Sequence, residues 1–308
     1  MPHASRREFL NSSLAVACSA GFAGETLARP SSAILNSMRA TRPSSLPIKK
    51  GVLLDMLPAK LSYADRLRMA RDVGFEVVQA STESDQRNAE QIKKAAEEAD
   101  IRIDSVMNMD HWKYPLSSSD PATVERGLAG MRVSLQNANL WGAETVLLVP
   151  AVVNPETSYL DAWKRSQTQI RTLIPVAEKL KVVIAIEDVW NNFLLSPLEM
   201  AKYIDEFHSP WVKSWFDIGN VMLYGYPQDW IHTLNKRIVK VHLKDFKRKQ
   251  DGYAWVNLGD GDVDWTAVRN AFSETGYAGS AIVEMEAGDE AYLRDVSRRV
   301  DRLLLKDY

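Results

Sequence analysis

Val182-Val183-Ile184-Ala185-Ile186-Glu187 is an unbroken apolar run closed by a carboxylate. A half-buried strand would alternate apolar and polar residues. A continuous run is expected of a strand covered on both faces, as parallel strands are. Upstream, Tyr159 to Leu180 carries a helical pattern. Downstream, Ser196-Pro197-Leu198-Glu199 opens the next helix, with Ser as N-cap and Pro at the first helical position. The same alternation recurs from Ile48 onward. Strands are predicted at Lys50–Met56, Phe75–Ala80, Ile103–Asn108, Thr145–Val149, Val182–Glu187, Lys213–Asp217, Ile238–Leu243 and Ser280–Met285. Helices are predicted at Tyr63–Val73, Asn88–Ala99, Pro121–Trp141, Tyr159–Leu180, Pro197–Phe207, Tyr226–Asn235, Trp265–Thr275 and Glu290–Leu305. Gly74, Gly142 and Gly276 stand where C-cap glycines belong. Eight strand–helix pairs, with no glycine-rich phosphate turn after the first strand, favour an α/β closed (β/α)₈ barrel over a doubly wound open sheet.

A barrel of this kind works at the C-terminal ends of its strands. The fifth predicted strand ends in Glu187 and the sixth in Asp217. The seventh carries His242 near its end and the eighth Glu284. Four consecutive strands thus deliver three carboxylates and an imidazole to one rim. Without a cation between them the carboxylates would repel one another. The set is hard and oxygen-rich, which suits Mn²⁺ first, with Mg²⁺ or Co²⁺ as alternatives. The single cysteine, Cys18, excludes a cysteine-based zinc site and any internal disulfide.

The bulk numbers bound the rest. At 308 residues the chain fits one barrel of about 250 residues plus an extension. A net charge of -2 offers no basic surface for nucleic acid, and no apolar run is long enough to span a membrane. The extension is N-terminal. Ser5-Arg6-Arg7-Glu8-Phe9-Leu10 and the weakly apolar stretch from Ser13 to Gly24 read as a twin-arginine (Tat) export signal over residues 1–28, cleaved after Ala28. A Ser/Pro/Ala-rich linker follows over 29–47, then the catalytic barrel over 48–308. The expected location is periplasmic. Anchoring as a lipoprotein through Cys18 is the weaker alternative, because the Leu expected three residues before it is missing.

The strand-end motifs resemble a known group. Ala185-Ile186-Glu187-Asp188, Trp215-Phe216-Asp217-Ile218-Gly219-Asn220, Val241-His242-Leu243-Lys244-Asp245 and Gly276-Tyr277-Ala278-Gly279 leading to Val283-Glu284 are similar to the sugar isomerase/epimerase group with a xylose isomerase-like TIM barrel. Within it they resemble ketose 3-epimerases and hexulose- or pentulose-phosphate 3-epimerases. The resemblance runs from Ile48 to the C-terminus. It implies a metal that chelates the C2 carbonyl and C3 hydroxyl of a ketose. It also implies that Glu187 and Glu284 are both ligands and the acid/base pair on opposite faces of C3, acting through an enediolate. The chemistry is coherent in itself: a Lewis acid on the carbonyl acidifies the neighbouring C–H, and two carboxylates permit inversion. The resemblance further places Arg248 against substrate oxygens. Glu284 rather than Glu286 stands at the family spacing from Gly279.

Further substrate-binding candidates are Lys244, which faces the same side of its strand as His242, Asn220 after the sixth strand, and His111 with Trp112 after the third. For Lys244 a structural salt bridge is the rival reading, for Lys247-Arg248-Lys249 a solvated loop, and for His111 and Trp112 loop packing. Asn191 and Asn192 either orient substrate hydroxyls or form a turn. His208 and His232 read as helix-surface residues. Trp112, Tyr114, Trp230 and Trp255 line either the pocket or a homo-oligomer interface. Two positions depart from the free-ketose epimerases: Asn220 replaces a His, and Phe193-Leu194 replaces a second Glu. The leading reading is a metal-dependent isomerase or epimerase acting on a small carbohydrate. A metal-dependent lyase or hydratase acting on 3-keto-glycosides is one alternative, and an exported, non-catalytic sugar-binding barrel is another.

Overall fold

The computed structural model of the protein describes residues 45–306. The export signal lies outside the described residues, as does the linker up to residue 44. The barrel strands are β1 (Lys49–Leu53), β2 (Val77–Ser81), β3 (Arg102–Met107), β4 (Thr145–Leu148), β5 (Val183–Glu187), β6 (Val212–Asp217), β7 (Ile238–Leu243) and, after a hairpin of β8 (Asp245–Lys249) and β9 (Gly252–Val256), β10 (Ser280–Val283). All barrel pairings are parallel, and the circle closes where β10 pairs with both β7 and β1.

The helices are α1 (Tyr63–Asp72), α2 (Gln86–Ala99), α3 (Pro121–Trp141), α4 (Tyr159–Leu180), α5 (Pro197–Asp205), α6 (Pro227–Leu234), α7 (Trp265–Thr275) and α8 (Glu290–Val300). Their starts follow from local chemistry. Ser62, Asp85, Ser158, Ser196, Asp264 and Asp289 each accept a backbone N–H three residues on, satisfying a donor the helix cannot. Gly142 and Gly276 end α3 and α7 in left-handed conformation, at φ 70° and 65°. The last predicted helix ends earlier than expected: after Val300 the chain widens into a π turn over Asp301–Leu305.

Side chains inside the barrel are layered, and the two-residue pleat period dictates which layer each joins. Val77, Leu147, Ala185, Trp215 and Ile282 make an apolar plug separate from the larger core between strands and helices. Two residues beyond four of these stand Gln79, Glu187, Asp217 and Glu284. Each therefore points inward one layer nearer the mouth. His242 likewise stands two beyond Lys240, whose ammonium is buried against Asp104 Oδ2 at 2.6 Å, with Ser280 bonding the same oxygen. At the opposite, N-terminal face, Ser45 pairs with Lys306, and Leu46 N–H donates to Leu305 O.

Candidate active site

Glu187, Asp217, His242 and Glu284 present four ligand atoms that all lie within 4.8 Å of one another. His242 Nδ1 is 2.8 Å from Glu187 Oε1, 2.9 Å from Glu284 Oε2 and 3.8 Å from Asp217 Oδ2. Its other nitrogen, Nε2, is 2.7 Å from Gln79 Oε1. The amide oxygen accepts Nε2–H, which leaves Nδ1 facing the carboxylates as the ligand atom. Asp217 is held just as firmly. Its Oδ1 accepts the Asn220 N–H at 2.8 Å, and its own N–H donates to Asp188 Oδ1 at 2.9 Å.

Asp217 Oδ2 and Glu284 Oε2 are buried oxygens with no donor aligned for a hydrogen bond. The Lys244 ammonium lies near both, 2.9 and 2.5 Å away, without satisfying that geometry. Ligands on opposite sides of an ion at about 2.1 Å stand about 4.2 Å apart. The quartet's span and its three-carboxylate, one-imidazole composition therefore fit a divalent cation.

The electrostatics divide the two glutamates. Burial pushes Glu187 up to about 7 against the pull of His242 and Lys244. Burial would also raise Glu284, but His242 and Lys244 together hold it well below the usual carboxylate range. His242 is raised to about 9: burial opposes its charge, and Glu284 and Glu187 more than offset that. Lys244 is likewise disfavoured by burial, yet Asp217, Glu284 and Glu187 keep it charged. Asp188 is held well above its ordinary value by burial and by the neighbouring Asp217.

The other predicted residues fall in different places. Lys244 touches the quartet. His111 is buried, with Nδ1 accepting Val149 N–H at 3.4 Å, so that Nε2 carries the proton. Burial lowers it to about 4 against the pull of Glu284, which leaves it neutral at pH 7. Trp112 lies edge-on to His111 and is 51% exposed. Asn220 is buried beneath the site, where its amide donates to Asp188 O at 2.8 Å. The Arg248 guanidinium donates to Met222 O and lies over the Phe246 ring, tying the hairpin to the loop after β6. Asn191 and Asn192 form the turn, donating to Ala151 O and Val153 O. Glu286 is exposed, and Trp230 is fully buried. His232 sits on the surface beside Glu274.

Two features escaped the sequence reading. Gln79 is a lone polar residue in the apolar run Val77-Val78-Gln79-Ala80, and that anomaly was its signal. The β8–β9 hairpin brings Trp255 over Lys244, with Nζ 5.6 Å from the ring centroid, and stacks it on Trp190. A cavity of about 720 Å³ opens between this hairpin and the segment after β10.

A family model described as the xylose isomerase-like TIM barrel matches residues 67–302. The chain belongs to this family. It is 27% identical over 252 residues to L-ribulose-5-phosphate 3-epimerase UlaE of Escherichia coli O1:K1 / APEC, covering 78% of this chain and 88% of that one. Among solved structures, a D-tagatose 3-epimerase-like protein superposes with a TM-score of 0.71 at 16% identity, covering 82% of this chain and 95% of the other. The 3-keto-D-glucoside 4-epimerase YcjR from E. coli gives 0.69 at 17%, covering 81% and 97%. These structures share the fold. The named relatives are epimerases, which are isomerases.

Proposed function

We propose that the protein is a divalent-metal-dependent carbohydrate epimerase or isomerase of the ketose 3-epimerase type, with Glu187 and Glu284 as its acid/base pair. The observation that carries this reading is the position of the two glutamates. They enter the quartet from β5 and β10, with β6 and β7 between them, so the two carboxylates reach one bound substrate from different sides. Two carboxylates on different sides of one carbon, one taking a proton and the other returning one, are what inversion requires.

Glu187, Asp217, His242 and Glu284 would hold the metal, for which the oxygen-rich set favours Mn²⁺. Bound there, it supplies Lewis-acid polarisation of the substrate carbonyl. One of Glu187 and Glu284 removes the proton from the carbon beside the carbonyl, and the other returns one to the opposite face. Lys244, charged and adjacent to Glu284, neutralises the developing enediolate oxygen. His111, with Nε2–H free to donate, and Trp112 border the substrate. The N-terminal Arg6-Arg7 motif supports export, with the enzyme working in the periplasm; export that survives Arg6-Arg7→Lys-Lys would refute the twin-arginine route, and retention of the unaltered protein in the cytoplasm would refute that location.

The test is solvent isotope exchange. The Mn²⁺-loaded protein in D₂O is expected to introduce deuterium next to the carbonyl of a keto sugar. Glu284→Gln should lower turnover by roughly 10²- to 10⁴-fold without loss of helical circular dichroism. Full activity in that variant, or turnover without label entering the C–H position, would sink the proton-transfer assignment.

A further inference from the structure

The cavity beside the quartet has a chemistry of its own. Its charged lining residues are Lys244, Asp245, Glu284 and Glu286, one cation against three carboxylates. Lys244 is already committed to Asp217 and Glu284. Barrels that bind phosphate commonly do so with the loops after the seventh and eighth barrel strands and a helix N-terminus. Here those two segments are the hairpin and Glu284–Asp289. The second carries Glu284, Glu286 and Asp289, and Asp289 occupies the N-terminus of α8 with its own carboxylate. The hairpin's cations do not line the cavity: the Lys247 ammonium donates to Asp260 O and the Arg248 guanidinium to Met222 O. Glu284 and Asp245 are committed in the same way, to Lys244 and to the hairpin's own donors, so the lining offers a phosphate dianion no free cation and sets the Glu286 carboxylate beside it.

The remaining lining is mostly apolar and aromatic. Val256, Met285 and Ala287 stand with Tyr292, the polar Asn257 and Trp255, which is 45% exposed. Trp255 is braced: its ring centroid lies 5.0 Å from that of Trp190 at 21° between planes, and Trp190 Nε1 donates to Asn220 O at 2.9 Å. The same loop that orients Asp217 therefore fixes the indole shelf. A rigid, half-exposed indole beside polar groups suits a ligand that is apolar on one face and hydroxylated at its rim. The C–H face of a sugar ring has that character.

We infer that this cavity is a subsite for a second, uncharged sugar ring seated on Trp255, so that the substrate is a neutral glycoside of a keto sugar rather than a phosphorylated ketose. This rests on the proton-transfer reading for which ring reacts, while the subsite itself stands on the shelf and the charge of the cavity.

Binding and turnover test it separately. Cellobiose titrated into the Mn²⁺-loaded protein should change tryptophan fluorescence, and ribose 5-phosphate should bind at least tenfold more weakly. Trp255→Ala should abolish the cellobiose response, and Trp255→Phe, which keeps an aromatic face, should restore part of it. In turnover, Trp255→Ala should raise KM for 3-keto-cellobiose about tenfold more than for methyl 3-keto-glucoside, with the effect in KM rather than kcat. Tighter binding of ribose 5-phosphate overturns the inference, as does an equal KM effect on both keto sugars. So does a dimer that Trp255→Ala converts to monomer, since a second copy would then cover the shelf. Cellobiose binding without any isotope exchange would refute the proton-transfer reading and leave the subsite standing.

Discussion

His242 is gripped at both ring nitrogens, by Gln79 from below and by the carboxylates in front. Gln79→Leu removes the acceptor that fixes the imidazole tautomer. It should weaken Mn²⁺ binding about 10- to 100-fold, as read by calorimetric titration, while the barrel keeps its circular dichroism. Unchanged affinity would show that the carboxylates alone set the ring. The sign of the pH dependence follows from the same contacts. His242 and Glu187 hold protons up to about 9 and about 7, and each must lose its proton to bind a cation. Metal affinity is therefore expected to rise from pH 6 to pH 9 with net proton release, measurable as a buffer-dependent binding enthalpy. At this scale the quartet was legible because each member interrupts or closes an apolar strand. Gln79 interrupts one too, but an amide carries no ligand signature. Asn220 was read as a substrate contact, and the structure shows its backbone N–H on Asp217 and its amide on Asp188. A sequence shows that a polar residue stands at a strand end without showing which way it turns.

The β8–β9 hairpin hangs on Asp245. Its Oδ1 accepts Phe246 N–H at 2.9 Å, and its Oδ2 accepts Gly259 N–H at 2.7 Å and Trp265 Nε1–H at 3.0 Å. Gly261 lies so close that a Cβ there would run into Asp245 Oδ1. Asp245→Ala strands several buried donors at once, each costing about 1–3 kcal/mol. Urea unfolding should show a loss of about 3 kcal/mol or more, and a loss below about 1 kcal/mol would mean the hairpin is held elsewhere. Most elements were readable to within a few residues, since caps and apolar runs are local signals. The hairpin was the exception. Asp251-Gly252 is a turn signal between two short strands, and Gly252 takes φ 131°. The lysines and arginine of β8 masked it, because a basic run reads as solvated loop when its alternation is overlooked. Trp255 was named as lining the pocket or an interface, but its stacking on Trp190 was out of reach, because the two are 65 residues apart and meet only in the folded barrel.

For the whole molecule, the order of strands around the barrel was legible from the eightfold alternation, and closure followed from it. The pairing of Ser45 with Lys306 was not, because Ser45 to Pro47 read as the end of a linker while Leu46 is in fact buried. That pairing carries a practical consequence. Residues 45 and 306 are neighbours on the face opposite the mouth, so the fold is a ring in chain as well as in space. Circular permutation becomes feasible: a gene that splices 306 to 45 through a short glycine-serine tether and opens new termini at Gln250–Asp251, in the exposed hairpin turn, should yield a protein that still binds one Mn²⁺ and melts cooperatively. A permutant that takes up metal but loses tryptophan quenching by cellobiose would separate, in a single molecule, the part of the site built by the barrel from the part built by the hairpin.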